Sequence, residues 1–295
     1  MLPADVLRQV RRLHLRARRL VQTLLGGEYH SAFKGAGLSF EEVREYQPGD
    51  DVRTIDWNVT ARTGHPFIKR YVEERELTLF LVVDVSASQK FGTGLLTKRA
   101  AAAELAALLA LCAVSNNDRV GLVGFTSEVE RFVPPNKGPR HVLRLLRDIL
   151  AFEPQKTGTN LAAALDYVVK VQRRRAIVFV LSDFFGMEYE KSFRRAARKH
   201  DLIAVRTGDR RERDWPAVGL VRQQDAETGK QILIDTGDSR VRERLRASSE
   251  ERSATFTKLA RGAQADVIEV GTDGSHFDAL LGFFRKRDRR RRGHG

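Results

Sequence analysis

Cysteine is almost absent. Cys112 stands alone among 295 residues, which excludes a disulfide framework and any cysteine-based zinc site. It lies in an alanine- and leucine-rich stretch, where a buried, inert thiol is expected. Long apolar runs are missing too. The most apolar stretch, Ala100 to Val114, is too short to span a bilayer and carries Glu104. Met1 to Arg19 is studded with arginine and lacks the apolar core of a secretory leader. The expectation is a cytoplasmic protein with no transmembrane segment.

Several catalytic signatures are also missing. The seven histidines, His14, His30, His65, His141, His200, His276 and His294, are scattered, with no HExxH pair to seat zinc. No Gly-x-Ser-x-Gly elbow, phosphate-binding Walker loop or complete Gly-x-Gly-x-x-Gly fingerprint occurs. Gly35-Ala36-Gly37 lacks the preceding buried strand that a dinucleotide site needs.

What is abundant is positive charge. The 52 Lys and Arg outnumber 38 Asp and Glu, giving a net charge of +14. Arg285 to Arg292 holds seven basic residues and one acid, and a second group, Arg8, Arg11, Arg12, Arg16, Arg18 and Arg19, lies near the start. Such runs bind nucleic acid or acidic partners, but they also form solvated faces and tails. No aromatic platform accompanies them, so the solvated reading is preferred.

Periodicity divides the chain in two. Val6, Val10, Leu13, Ala17, Leu20, Val21 and Leu24 recur at spacings of three and four, which predicts an amphipathic helix ended by Gly26-Gly27. Tyr29 to Arg75 is rich in turn signals and predicts short strands and ordered loops. From Leu77 buried strands alternate with helices. Strands are expected at 77–83, 119–125, 129–133, 176–181, 202–206 and 266–270. Helices are expected at 97–114, 140–150, 160–173, 189–199, 240–260 and 275–284. A β-hairpin, 218–224 with 231–235, turns through Glu227-Thr228-Gly229 and interrupts the alternation. The pattern calls for an α/β fold with a mostly parallel sheet and right-handed crossovers.

Three segments then bring oxygen ligands to the carboxyl end of that sheet, where open α/β sheets bind ligands. The first strand runs into Asp84-Val85-Ser86-Ala87-Ser88. Lys156-Thr157-Gly158-Thr159-Asn160 offers hydroxyls at a helix start, and Leu181-Ser182-Asp183 ends another buried strand. Helix capping alone explains single Asp or Ser residues. Five oxygen-bearing residues from three segments favour a hard cation, Mg²⁺ first, with Mn²⁺ or Ca²⁺ as alternatives.

In this feature the sequence resembles the von Willebrand factor A-like family with its metal-ion-dependent adhesion site (MIDAS). The resemblance implies Asp84, Ser86, Ser88, Thr159 and Asp183 as metal-site residues, the hydroxyls ligating directly and the aspartates acting through water. Thr157 is an alternative to Thr159. Gln89 stands where methionine is common, and Phe184 stands where glycine is common. A longer likeness spans almost the whole chain. Gly35-Ala36-Gly37, Arg44 to Trp57 with its Pro48-Gly49-Asp50 turn, Ala61-Arg62, Glu227-Thr228-Gly229 and Phe283-Phe284-Arg285 resemble the DUF58 proteins, which are bacterial and archaeal and often encoded beside MoxR-type AAA+ ATPases.

That resemblance implies a doubly wound, Rossmann-like von Willebrand A sheet flanked by helices. The expected divisions are an N-terminal segment, 1–75, a main domain, 76–284, with a hairpin insert near 216–236, and a basic tail, 285–295. The Arg44 to Arg62 stretch is expected to be a structural clasp of Arg/Asp pairs with Tyr46 and Trp57 covering an apolar face; a partner-docking surface is the alternative. The functional expectation is a non-enzymatic, metal-dependent interaction module, an adaptor or co-chaperone for a MoxR-type ATPase and an unidentified client. Two alternatives remain: a metal-dependent phosphoesterase or nuclease, and an arginine-rich nucleic-acid binder. For the first, Ser86 stands where haloacid-dehalogenase-type phosphatases carry a general-acid aspartate.

Overall fold

The computed structural model describes residues 21, 26–33, 37–74, 77–186 and 188–292, in two compact units, 33–76 and the remainder. The helix expected over Val6 to Leu24 lies outside the described residues apart from Val21, which is buried. Gly26 and Gly27 are the first two residues of a described helix, α1 (Gly26–Ala32). The first-turn amides of a helix need no intrahelical partner, so glycine is tolerated there, and packing supplies what propensity lacks. Tyr29 is buried, its ring edge-on to Phe284 at 5.8 Å and its hydroxyl donating to Asp118 Oδ2 at 3.1 Å. Helix α1 groups with the larger unit rather than with the N-terminal segment in which the sequence reading put it.

The smaller unit is an antiparallel pair, β1 (Gly37–Glu45) and, beyond helix α2 (Trp57–Thr63), β2 (Phe67–Glu74), in register from Gly37↔Glu74 to Glu45↔Phe67 with a bulge at Phe40/Glu42. Its connection is only in part the expected clasp. The Arg44 guanidinium grips Asp50 through two bonds of 2.9 and 2.7 Å. That contact, with the Gln47 amide, holds the Asp50 carboxyl below its ordinary pKa. Asp51 and Asp56 also act as caps. Asp56 accepts from the Asn58 and Val59 amides at the start of α2, as short polar side chains do at helix starts. Trp57 covers no apolar face, being 70% exposed.

The larger unit holds the alternation read from the sequence. Its elements are β3 (Thr78–Asp84), α3 (Lys98–Ser115), β4 (Arg119–Phe125), β5 (Val129–Asn136), α4 (Pro139–Ala151), α5 (Leu161–Val171), β6 (Ile177–Ser182), α6 (Glu190–Lys199), β7 (Asp201–Gly208), β8 (Leu220–Gln224), β9 (Gln231–Asp235), α7 (Ser239–Gly262), β10 (Asp266–Gly271) and α8 (His276–Arg292). Six strands form one sheet in the order β10-β7-β6-β3-β4-β5, parallel except for the edge strand β5. Strands β8 and β9 form a separate hairpin.

Side chains alternate across the central strands. Phe80 and Val82 of β3, with Val178 and Val180 of β6, join residues of α5, α6 and α7 in one core. Leu79, Leu81 and Val83 of β3 are equally buried on the opposite face, toward the alanine-rich α3. Within α3 every residue from Ala101 to Ala103 and from Leu105 to Ala113 is buried. Its small side chains let the helix lie close to the strands, and burial pushes the Cys112 thiol pKa far up. Glu104, the one charge in that run, meets His276 at 2.9 Å.

The basic segment 285–292 is not a free tail: it forms the last turns of α8. Arg287 pairs with Asp201 and Asp266, Arg290 with Asp266, Arg285 with Glu28 and Arg292 with Asp288. Acidic partners on β7, β10 and α1 therefore continue the helix past the point where its apolar pattern stops.

His200, at the end of α6, is 1% exposed, and neither ring nitrogen has a hydrogen-bond partner among the described residues. Burial, then the charges of Lys199 and Arg175, lowers its pKa to about 4. An unfolded chain takes up this proton near pH 6.5, so between those values the unfolded state binds more protons and stability falls as pH falls. His200→Leu is expected to lessen the drop in urea midpoint between pH 7 and pH 5. An unchanged drop would remove His200 as a source of acid sensitivity.

Candidate functional site

The site begins where the strand order reverses. From β3 the chain moves through α3 on one face of the sheet to β4; from β6 it moves through α6 on the other face to β7. Loops that leave adjacent strands toward opposite faces open a crevice at their carboxyl ends. Asp84 ends β3 and Ser182 ends β6, the neighbouring strand.

Asp84 is fully buried, and both its oxygens are engaged. Oδ1 accepts from the Ser86 amide at 3.0 Å and Oδ2 from the Ser182 hydroxyl at 2.7 Å. Burial, then the nearby charge of Asp183, pushes its carboxyl pKa up to about 7. The turn so fixed presents Ser86 and Ser88 side by side, their hydroxyl oxygens 3.1 Å apart, and Ser88 Oγ donates to Asp183 Oδ2 at 3.3 Å. Asp183 Oδ2 also receives the Lys98 ammonium at 2.9 Å, and the same nitrogen reaches Glu212 Oε1 at 2.7 Å.

Lys98 opens α3, where the helix dipole disfavours a cation, and it is 2% exposed. Burial works against its charge, yet Asp183 and Glu212 outweigh burial and raise its pKa. The ammonium is therefore a fixed positive charge at the rim of the site.

Thr159 arrives from the loop before α5. That loop is tied down by the Asn160 amide on the Thr126 carbonyl at 2.7 Å and the Gln155 amide on Glu130 at 2.7 Å. Thr159 joins the other four residues through an intermediary that sequence reasoning passed over. Glu227, at the tip of the β8–β9 hairpin, accepts from the Ser88 amide at 3.2 Å, the Gly158 amide at 2.6 Å and the Thr159 hydroxyl at 3.4 Å. Thr157 has no hydrogen bond in this cluster. The five expected residues thus belong to one network, to which the structure adds Ser182, Lys98, Glu212 and Glu227. Glu227 does have a signal in the sequence, the Glu-Thr-Gly turn of the hairpin and of the DUF58 resemblance, but nothing in that signal ties it to the site.

The donor set suits a small hard cation. Adjacent oxygens in an octahedral Mg²⁺ shell at about 2.0–2.1 Å lie about 3 Å apart, close to the 3.1 Å between Ser86 and Ser88 and the 3.3 Å between Ser88 and Asp183. Among the described residues no group of three or more His, Cys, Asp or Glu converges to hold a metal. A cation here would rest on hydroxyls and single carboxylates, with Asp84 orienting the serine turn.

A family model described as "Protein of unknown function DUF58" matches residues 42–255. The chain belongs to the DUF58 family. The Mycobacterium tuberculosis relative named "Uncharacterized protein Rv1480" is 32% identical over 285 residues, covering 95% of this chain and 89% of that one. Two solved structures are similar to parts of this DUF58 chain. The conserved hypothetical protein BatB from Bacteroides thetaiotaomicron has a TM-score of 0.47 and 17% identity, covering 72% of this chain and 99% of that one. A von Willebrand factor type A structure from Catenulispora acidiphila has a TM-score of 0.43 and 10% identity, covering 75% and 44%.

Beside the site, Phe184 has φ +53°, the left-handed region that favours glycine. An aromatic cluster holds it there. Its ring lies 4.5 Å from that of Phe256 and packs edge-on to Phe193 and Tyr189, while Tyr189 Oη donates to the Phe184 carbonyl. The strained residue fixes the direction in which the chain leaves Asp183. Phe184→Ala is expected to cost about 3–5 kcal/mol through the lost ring. Phe184→Gly should be about 1 kcal/mol more stable than the alanine variant, because it relieves the backbone. Urea denaturation compares the two, and equal stabilities would mean that this φ stores no strain.

Proposed function

We propose that this DUF58 chain is a non-enzymatic, metal-dependent protein-interaction module. In this reading Ser86, Ser88 and Thr159 hold a Mg²⁺ ion, Asp84 and Asp183 support it, and an acidic side chain of a partner completes the site. The carrying observation is the convergence of these five residues, from three separate loops, on one hydrogen-bonded network at the strand-order reversal. When bound, the cation would supply a directional bond to a carboxylate. The protein's own groups align the serine hydroxyls, supply backbone donors from Ser88 and Gly158, and offset the negative charge with Lys98.

Asp84 is poorly suited to attack a phosphoryl group, since burial raises its pKa and both oxygens are taken by Ser86 and Ser182. That supports binding over turnover. The DUF58 resemblance makes a MoxR-type AAA+ ATPase the natural collaborator, with this chain acting in the cytoplasm as an adaptor or co-chaperone in protein maturation or complex assembly. No helix among the described residues is long and apolar enough to cross a membrane.

Calorimetric titration of Mg²⁺ and Mn²⁺ tests the reading. Saturable binding is expected for the wild type, and none for the Asp84→Ala/Asp183→Ala variant once circular dichroism shows it folded. Ser86→Ala/Ser88→Ala, which leaves the buried carboxylate in place, should lose binding as well. A silent wild type, or a folded Asp84→Ala/Asp183→Ala variant that binds equally, would overturn the metal site.

A further inference from the structure

We propose that the β8–β9 hairpin is a built-in occupant of this site: Glu227 holds the position that a partner's carboxylate would take, so a partner must displace the hairpin to bind. The proposal rests on the interaction-module reading and adds to it a regulatory element and a ligand class, an acidic side chain presented on a tight turn.

Three observations carry it. First, the contact is concentrated in one residue. Among the described residues, every hydrogen bond from the hairpin tip to the loops of the sheet is accepted by the Glu227 carboxylate, and its donors come from the loop after β3 and the loop before α5. Glu227 is half-buried, whereas its neighbours from Arg222 to Ala226 and from Thr228 to Lys230 are exposed.

Second, the tip is shaped without the site. Asp225 Oδ1 accepts from the Glu227 and Thr228 amides at 2.9 and 2.8 Å, the Asp225 amide donates to the Lys230 carbonyl, and Gly229 takes φ +70°. The turn can therefore leave and return as a preformed unit. Among the described residues its strands pair only with each other, and Leu220 and Leu233 are 67% and 64% exposed while Ile234, near the base, is buried. The hydrogen bonds that hold the tip down, among the described residues, are those of Glu227.

Third, the charges are unfavourable unless something positive sits among them. Glu227 and Asp183 bracket Ser88, one at its amide and the other at its hydroxyl. Lys98 offsets Asp183 and contacts Glu212, not Glu227. A carboxylate brought here on a hairpin turn is the kind of ligand that the Ser88 and Gly158 amides would accept from a partner. The tether gives Glu227 an effective concentration on the order of millimolar, so a free acidic ligand competes poorly until the hairpin lifts.

The test uses the full chain and a cyclised peptide with the sequence of Gln224 to Lys230, titrated by fluorescence anisotropy with and without Mg²⁺. Glu227→Ala is expected to bind the peptide at least tenfold more tightly than the wild type, and a peptide with glutamine in place of its glutamate should not bind. In parallel, amide hydrogen exchange at Ser88 and Gly158 should be at least tenfold faster in Glu227→Ala, with Glu227→Gln intermediate. Equal peptide affinity for both proteins, no affinity for either, or unchanged protection of those two amides would each overturn the proposal. Failure of the metal reading looks different. Mn²⁺ calorimetry would be silent for both proteins, while the peptide contrast persists without Mg²⁺ and the exchange contrast stays intact; that outcome supports the plug and removes the cation.

Discussion

A single buried carboxylate organises the business end of this protein. Asp84 sits at the last position of the central strand and bonds outward to the Ser86 amide and sideways to the Ser182 hydroxyl on the neighbouring parallel strand. An ionisable group is tolerated at zero exposure only when its hydrogen-bonding capacity is met. Meeting it forces the chain after β3 into the turn that lines up Ser86 and Ser88. It also fixes the end of β6, because Ser182 Oγ in turn accepts from the Phe184 amide. The strain at Phe184 and the position of Asp183 follow from that linkage.

Electrostatics then decide what the site tolerates. Asp84, Asp183, Glu212 and Glu227 bring negative charge to a small region, and Lys98 is the cation bonded to two of them. Lys98 occupies the first position of a helix against the helix dipole, and it remains charged because its carboxylate partners outweigh its burial. The proposed cation would add positive charge to this region beside Lys98.

The net charge of +14 takes on a different meaning in the folded chain. The densest basic run looks like a nucleic-acid tail, but four of its arginines pair with Glu28, Asp201, Asp266 and Asp288, so the run extends α8 and helps hold α1. The Arg44 to Arg62 stretch shows a similar economy. Arg44 grips Asp50, and Asp51 and Asp56 cap short helices.

By itself the sequence determined the succession of strands and helices from Leu77 onward, the hairpin that interrupts it, and the candidates Asp84, Ser86, Ser88, Thr159 and Asp183. Strand burial and helical amphipathicity are written in local spacings of two and of three to four residues, and strand-end carboxylates are legible because the strands are. The helix expected to stop at Phe284 runs on to Arg292 because ion pairs with distant parts of the same chain overrode local propensity there. Only the tertiary structure decided that Ser182, Lys98, Glu212 and Glu227 join the site. Glu227 meets Ser88 across 139 positions of chain, and Lys98 meets Glu212 across 114. No periodicity encodes which loops a strand-order reversal will bring together; that follows from how the whole sheet closes its layers around a shared core.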